Sequence, residues 1–161
     1  MNFHYFSQSE ERLFVPPVIK PKMNKTMETF CFNSALVIDN EDTDLFITSR
    51  MLVSKSIAKE IYTQKTIDSA IELIKMLETP PDIIFIDFIS KDNEMIKFLR
   101  KFYHLPKYLT KDCKIIILSA LLDYYVDEVN DALSFENVVM SMPKPLSDDQ
   151  LKIIINLKPI K

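Results

Sequence analysis

The sequence predicts an α/β domain built on a doubly wound, five-stranded parallel sheet. Five short apolar stretches alternate along the chain with segments in which apolar residues recur at helical spacing. The apolar stretches are continuous rather than alternating with polar residues, which is typical of parallel strands covered on both faces. The chain has 161 residues, of which 47% are hydrophobic, so one sizeable core is available. Right-handed crossovers then place helices on both sides of the sheet.

An N-terminal arm, residues 1–33, is predicted to precede the domain, which we assign to residues 34–161. The arm contains Pro16-Pro17 and Pro21, and consecutive prolines disfavour helix and remove backbone donors. We therefore expect an extended or disordered arm. The alternative is that its apolar residues pack on the domain or on a partner; these are Leu13, Phe14, Val15 and Val18.

Each apolar stretch is predicted to form one strand of the sheet. In chain order the five strands are Ala35–Ile38, Ile57–Tyr62, Ile83–Ile86, Ile115–Leu118 and Val138–Met142. Their length of four to six residues is the usual length of a buried strand.

Helical spacing of apolar residues predicts the segments between the strands. The marker residues are Leu45, Phe46, Met51 and Leu52; Ile67, Ala70, Ile71, Ile74 and Leu77; Met95, Phe98, Leu99 and Phe102; and Tyr125, Val129 and Leu133. Pro80-Pro81 ends the second of these helices. A last helix is predicted at Leu151–Leu157, preceded by a capping box formed by Ser147 and Gln150.

Composition excludes several classes of function. The chain contains no glycine, so a P-loop, a GxGxxG dinucleotide turn and a GxSxG nucleophile elbow are all absent. A net charge of -3 argues against binding nucleic acid through phosphate neutralisation. Two cysteines and two histidines exclude a disulfide framework and a multi-histidine metal site. No signal-like or membrane-length apolar run is present, so we expect a soluble, cytoplasmic protein without membrane contact.

Polar residues follow four of the predicted strands where each strand ends. Asp39 follows the first strand, Asp87 the third and Ser119 the fourth, and Lys144 lies just past the fifth. Because the carboxyl ends of parallel strands meet at one edge, where ligands bind, these side chains are expected to lie together. Neighbouring carboxylates suit a hard divalent cation such as Mg²⁺, and a lysine suits a phosphoryl oxygen. An aspartate placed there is a candidate nucleophile in phosphoryl transfer.

Each of these residues also has a simpler explanation. The run from Asp39 to Asp42 can be a helix cap and first turn, Asp87 a loop residue, Ser119 a turn former, and Lys144 a solvated surface lysine. Taken singly, the simpler explanation is favoured for each residue. Their coincidence at one sheet edge favours a phosphoryl-transfer site.

Four segments in order, ALVIDNEDTD, PDIIFIDF, KIIILSA and MPKPL, resemble the receiver domain of bacterial two-component response regulators over about residues 34–158. The resemblance implies a flavodoxin-like (βα)5 fold in which Asp87 accepts the phosphoryl group. It also implies that Asp39 and Asn40 belong to the Mg²⁺ cluster, with Asp87 and the main-chain carbonyl of Ile89. Ser119 would be the switch hydroxyl, and Lys144 would contact the phosphoryl group and precede a cis peptide bond to Pro145.

Three departures from the family pattern affect the expected site. Asn40 stands where the family has a second acid, which weakens the metal site unless Glu41 or Asp42 reaches in. The loop after the acceptor, residues 88–95, lacks the usual Met-Pro and Asp-Gly features. Ser141 replaces the aromatic switch residue, a role that Tyr124 or Tyr125 could take over.

The expected function is that of a single-domain response regulator in a phosphorelay. A histidine kinase or phosphotransfer protein would donate a phosphoryl group to Asp87, and the protein, a monomer or weak dimer, would signal through protein contacts. No residues are expected for a separate catalytic or DNA-binding output domain, so chemistry is limited to phosphotransfer and dephosphorylation. The alternative is a pseudo-receiver that binds partners without phosphorylation. An aspartate-nucleophile hydrolase is disfavoured because its second acid would fall at Ile89.

Overall fold

The computed structural model describes residues 18–20, 30–87, 93–122 and 125–157. The strands are β1 (Val18–Ile19), β2 (Phe32–Ile38), β3 (Ala58–Gln64), β4 (Ile83–Asp87), β5 (Lys114–Ser119) and β6 (Val138–Pro143). The helices are α1 (Asp42–Ser54), α2 (Ile67–Met76), α3 (Glu94–Tyr103), α4 (Lys107–Thr110), α5 (Val126–Leu133) and α6 (Asp148–Ile155). Within these ranges no helix has the length and hydropathy that a membrane span requires.

The six strands form one sheet in the order β1-β3-β2-β4-β5-β6. Strands β2 to β6 are parallel, which confirms the doubly wound α/β fold and all five predicted strands. Strand order reverses between β2 and β4, since the chain leaves β2 toward β3 on one side and returns to β4 on the other. That reversal opens a crevice at the carboxyl ends of β2 and β4.

The sixth strand, β1, was not predicted from the sequence. Val18 pairs with Tyr62 and Ile19 with Ile61, antiparallel to β3 at the edge of the sheet. Lys20 continues this contact through an ion pair of 3.1 Å with Glu60. Part of the predicted arm therefore packs on the domain, which is what the alternative interpretation of the arm predicts for Val18. The first parallel strand also begins at residue 32, two residues before the predicted domain start.

Two apolar layers cover the sheet because side chains of each strand alternate between its faces. Leu36 and Ile38 of β2 belong to one layer, which includes side chains of α2, α3 and α4. Ala35 and Val37 belong to the other, which includes side chains of α1 and α6. The sheet is therefore buried on both faces, and its carboxyl edge is the place left for polar side chains.

Local sequence signals set several of the element boundaries. Ser147 and Gln150 form the predicted capping box, and α6 begins at Asp148, three residues earlier than predicted. Thr66 caps α2 by accepting from the backbone N–H of Ser69. Ser56 and Asn93 have positive φ values of 51° and 52°, so in a chain without glycine these two residues take left-handed positions.

Candidate functional site

Two carboxylates stand side by side at the crevice where strand order reverses. Asp87 is the last residue of β4, and Asp39 follows β2 directly. The pairing of Ile38 with Ile86 places these two strand ends level with each other. Asp39 is held in place because its backbone N–H donates to the Gln64 carbonyl and its Oδ1 accepts from the backbone N–H of Glu41 at 2.9 Å. The sequence-based prediction that Asp39 and Asp87 meet at this edge is supported by this geometry.

Lys144 reaches across the sheet edge to these carboxylates. Its backbone N–H donates to the Ser119 carbonyl at 2.9 Å, which fixes the chain just past β6. Its Nζ lies 2.5 Å from Oδ2 of Asp39 and 2.6 Å from Oδ1 of Asp87. The Lys144 side chain is only 9% exposed, so the ion pairs form away from bulk solvent. The peptide bond from Lys144 to Pro145 is cis, as the resemblance implied.

A third carboxylate, Asp44, completes the contacts of Lys144 and was not predicted as a site residue. Its Oδ2 lies 2.9 Å from the Lys144 Nζ. The two acids named as possible substitutes in the metal site make other contacts: Asp42 pairs with Lys65 at 2.6 Å, and Glu41 accepts from the Asn40 amide. The feature of the sequence that could have indicated Asp44 is its position in the first turn of α1, the helix that begins beside the site.

The electrostatics of the cluster follow from burial and from these ion pairs. Burial raises the pKa of Asp87, and the nearby Lys144 only partly offsets this by stabilising the carboxylate. For Lys144, burial alone lowers the pKa, but the hydrogen bonds to Asp39, Asp87 and Asp44 outweigh it and the pKa is raised. Lys144 is therefore a fixed positive charge at neutral pH, and Asp87 is a carboxylate whose charge is costly unless a cation stays beside it.

The remaining predicted residues occupy different places around this cluster. Asn40 adjoins Asp39, and its amide donates to Glu41 at 3.4 Å on the exposed side of the site. Ser119 is buried at the end of β5, where its Oγ accepts from the Leu121 backbone N–H at 3.0 Å. A hydroxyl that accepts in this way keeps its own proton to donate. Ile89, the predicted main-chain ligand, lies outside the described residues.

The residue at the position of the family's aromatic switch residue is Ser141, which has no ring. Ser141 is a half-buried residue of β6 and pairs with Ile117. Tyr125 directly precedes α5 and is half-buried, whereas Tyr124 and most of the loop after the acceptor lie outside the described residues.

The oxygen donors at the sheet edge suit a hard cation by chemical type. In the part of the chain that the structure describes, no three acidic, histidine or cysteine side chains are arranged to hold a metal ion. Instead, the three aspartates surround an ammonium group. Asp39, Asp87 and the amide oxygen of Asn40 are nevertheless the oxygen ligands that Mg²⁺ prefers. The residues therefore fit Mg²⁺ by chemical type.

No protein-family model matches the chain, and no curated protein is significantly similar to it in sequence. Solved structures are similar in fold. A response regulator receiver protein from Dyadobacter fermentans matches with a TM-score of 0.67 and 17% identity, covering 80% of this chain and 97% of that one. A two-component response regulator from Cytophaga hutchinsonii matches with a TM-score of 0.67 and 22% identity, covering 78% and 96%.

A third similar structure is the receiver domain of a sensor histidine kinase from Pseudomonas aeruginosa, which holds a magnesium ion in its active-site cleft. It matches with a TM-score of 0.62 and 14% identity over 78% of this chain and 96% of that one. In all three comparisons nearly the whole receiver domain is covered. The chain therefore has the fold of response regulator receiver domains.

Proposed function

We propose that this protein is a response regulator receiver that accepts a phosphoryl group on Asp87 from a histidine kinase or phosphotransfer protein. The observation that carries the proposal is the placement of Lys144, whose Nζ contacts both Asp39 and Asp87 at the crevice of a receiver fold. The largely covered Asp87 carboxylate provides a nucleophile for phosphorus, and the Lys144 ammonium group beside it provides a cation for the incoming phosphoryl oxygens. A cytoplasmic location, shared with the donor, is part of the proposal.

The proposed reaction is a phosphoryl transfer between two proteins. A carboxylate oxygen of Asp87 forms a bond to phosphorus while the P–N bond of the donor phosphohistidine breaks, and the imidazole nitrogen leaves with the bonding electron pair. Hydrolysis returns the protein to the unphosphorylated state. Water attacks phosphorus, the P–O bond to Asp87 breaks, and phosphate leaves. Lys144 balances charge on the phosphoryl oxygens, and Ser119 is placed to donate its hydroxyl proton to one of them.

The proposal includes a weakened Mg²⁺ site. Asp39, Asp87 and the amide oxygen of Asn40 would hold the ion, together with the main-chain carbonyl of Ile89 that the resemblance implies. When bound, Mg²⁺ neutralises charge on the phosphoryl oxygens. Because Asn40 supplies an oxygen but no negative charge, we expect weaker binding than at a site with a second acid there.

Intact-protein mass spectrometry after incubation with a small phosphodonor tests the proposal. Acetyl phosphate and phosphoramidate, which carry P–O and P–N bonds to the transferred group, would each be used with and without Mg²⁺. We expect a Mg²⁺-dependent gain of one phosphoryl group in the natural chain and none in Asp87→Asn. Asp42→Asn makes the same charge change beside the site and should still gain it. A gain that persists in Asp87→Asn would contradict the assignment of the acceptor.

A second candidate function is that of a pseudo-receiver, which binds partners without being phosphorylated. It is favoured by Asn40, an uncharged residue whose amide donates to Glu41 on the exposed side of the site. It is also favoured by Ser141, which has no aromatic ring. This candidate predicts no mass gain with either donor at any Mg²⁺ concentration. It also predicts that Asp87→Asn leaves partner binding unchanged.

A further inference from the structure

Three carboxylates already surround the Lys144 ammonium group. An ammonium group has three N–H donors. The Lys144 Nζ donates to Asp39 at 2.5 Å and to Asp44 at 2.9 Å, and it forms an ion pair of 2.6 Å with Asp87. A phosphoryl oxygen on Asp87 must therefore compete with these carboxylates for the three donors of Lys144.

The three carboxylates differ in how easily they can give up their contact with Lys144. Asp39 is 2% exposed and is also bound to the backbone N–H of Glu41. Asp87 is 14% exposed and would itself carry the phosphoryl group. The Asp44 side chain is 41% exposed and forms the longest of the three contacts. Because the Asp44 carboxylate is already partly hydrated, its ion pair with Lys144 is the weakest of the three and the easiest to break.

Charge repulsion also favours the release of Lys144 by Asp44 when Asp87 carries a phosphoryl group. A phosphoryl group carries up to about two negative charges at neutral pH and replaces the single charge of the Asp87 carboxylate, so the site gains at most about one negative charge. Placed on Asp87, it would lie beside the same ammonium group as the Asp44 carboxylate, so the two anions would repel each other while competing for one donor.

We propose that Asp44 is a competing carboxylate that holds Lys144 in the unphosphorylated protein and must release it when Asp87 carries a phosphoryl group. Asp44 is a positioning residue in this role, because it acts through Lys144 and makes no bond to phosphorus. The inference rests on the proposed function. It adds that the carboxylate at Asp44 disfavours the phosphorylated state and thereby lowers the rate of its formation.

The test compares the natural chain with Asp44→Asn and with the matched control Asp42→Asn. Asp42 lies in the same first turn of α1 and carries the same charge, but it pairs with Lys65 instead of Lys144. Two quantities would be measured at saturating Mg²⁺: the phosphorylation rate with acetyl phosphate, and the affinity for beryllofluoride, which mimics a phosphoryl group on a carboxylate. Calorimetry would give the Mg²⁺ affinity without any donor.

We expect Asp44→Asn to raise both the rate and the beryllofluoride affinity by roughly two- to fivefold, the range of a partly exposed ion pair. Asp42→Asn should leave both unchanged. A loss of Mg²⁺ affinity together with slower phosphorylation in Asp44→Asn would overturn the inference and make Asp44 a metal ligand. Equal values for both variants would also overturn it, while leaving the proposed function intact.

The controls separate this inference from the proposed function. If the natural chain and Asp44→Asn both fail to react with acetyl phosphate and to bind beryllofluoride, both proposals fall. If only Asp44→Asn reacts, the inference is supported in its strongest form, since the carboxylate then blocks the site. A general loss of structure in Asp44→Asn would lower both measured quantities and so cannot imitate the expected rise.

Discussion

At the scale of single residues, the burial of Asp87 makes its charge a cost to the folded protein. Its pKa in the folded state is raised above the value of about 3.9 of an unfolded chain. The folded state therefore binds more protons than the unfolded state between these two values, so this residue lowers stability as pH rises through that range. Below the unfolded value the cost is absent, and above the folded value it is constant.

Asp87→Asn is accordingly expected to raise the melting temperature at pH 7 by a few degrees. The difference from the natural chain should shrink toward zero as pH falls below about 4, where Asp87 is protonated in both states. Thermal unfolding followed by circular dichroism over a pH series gives this difference directly. A difference that grows toward low pH would show that the sign of the effect has been assigned wrongly.

Removal of Lys144 leaves three aspartates facing one another at the sheet edge. Lys144→Met is expected to reduce the free energy of unfolding by about 3 kcal/mol, because breaking a buried ion pair leaves uncompensated charge. Lys65→Met is the matched control, since Lys65 pairs with Asp42 at the surface and should cost no more than about 1 kcal/mol. Urea unfolding at pH 7 measures both. Equal losses in the two variants would argue against a buried cluster.

The site residues differ in how far the sequence could predict them. Asp39, Asp87 and Lys144 follow buried strands, and the geometry of parallel sheets brings such positions together. Asp44 lies inside a helix, so its approach to Lys144 depends on how α1 packs on the sheet. That packing is a tertiary property, which local spacing among Glu41, Asp42 and Asp44 does not determine.

At the scale of elements, β1 is a strand that the sequence pattern could not predict. Two apolar residues in a proline-rich arm have no periodicity that distinguishes a strand from a loop. Their pairing depends on the exposed edge of β3, which accepts an antiparallel partner. The parallel strands, by contrast, were predictable because each is a continuous apolar stretch.

Replacing both Val18 and Ile19 with serine in the full chain tests whether this edge strand stabilises the domain. Both side chains are half-buried, and we expect the free energy of unfolding to fall by about 1–2 kcal/mol. Val126→Ser, at a residue that is mostly exposed on α5, is the control and should change stability by no more than about 0.5 kcal/mol. A double variant as stable as the control would mean that β1 contributes nothing.

At the scale of the whole molecule, two apolar layers cover the faces of the sheet whose edge carries the polar cluster. Phe98 is fully buried in the layer with α2 and α3 and stacks on Phe102 with ring centroids 5.8 Å apart. Phe46 on α1 is 67% exposed. The same residue type therefore occurs in the core and at the surface.

Phe98→Ala should lower the free energy of unfolding by about 3–5 kcal/mol because it leaves a cavity in the core. Phe46→Ala should change it by no more than about 0.5 kcal/mol. Urea unfolding of the two variants side by side measures the contrast. A large loss for Phe46→Ala would mean that this ring is covered in solution.

In the proposed function, the phosphoryl group is carried on Asp87 and on no other aspartate of the cluster. Hydroxylamine converts an acyl phosphate into a hydroxamate with release of phosphate, so it marks the acceptor permanently. Peptide mapping by mass spectrometry, after treatment with acetyl phosphate and Mg²⁺ and then hydroxylamine, locates that mark. We expect a hydroxamate at Asp87 alone; a hydroxamate at Asp39 or Asp44, or none in the whole chain, would rule out Asp87 as the acceptor.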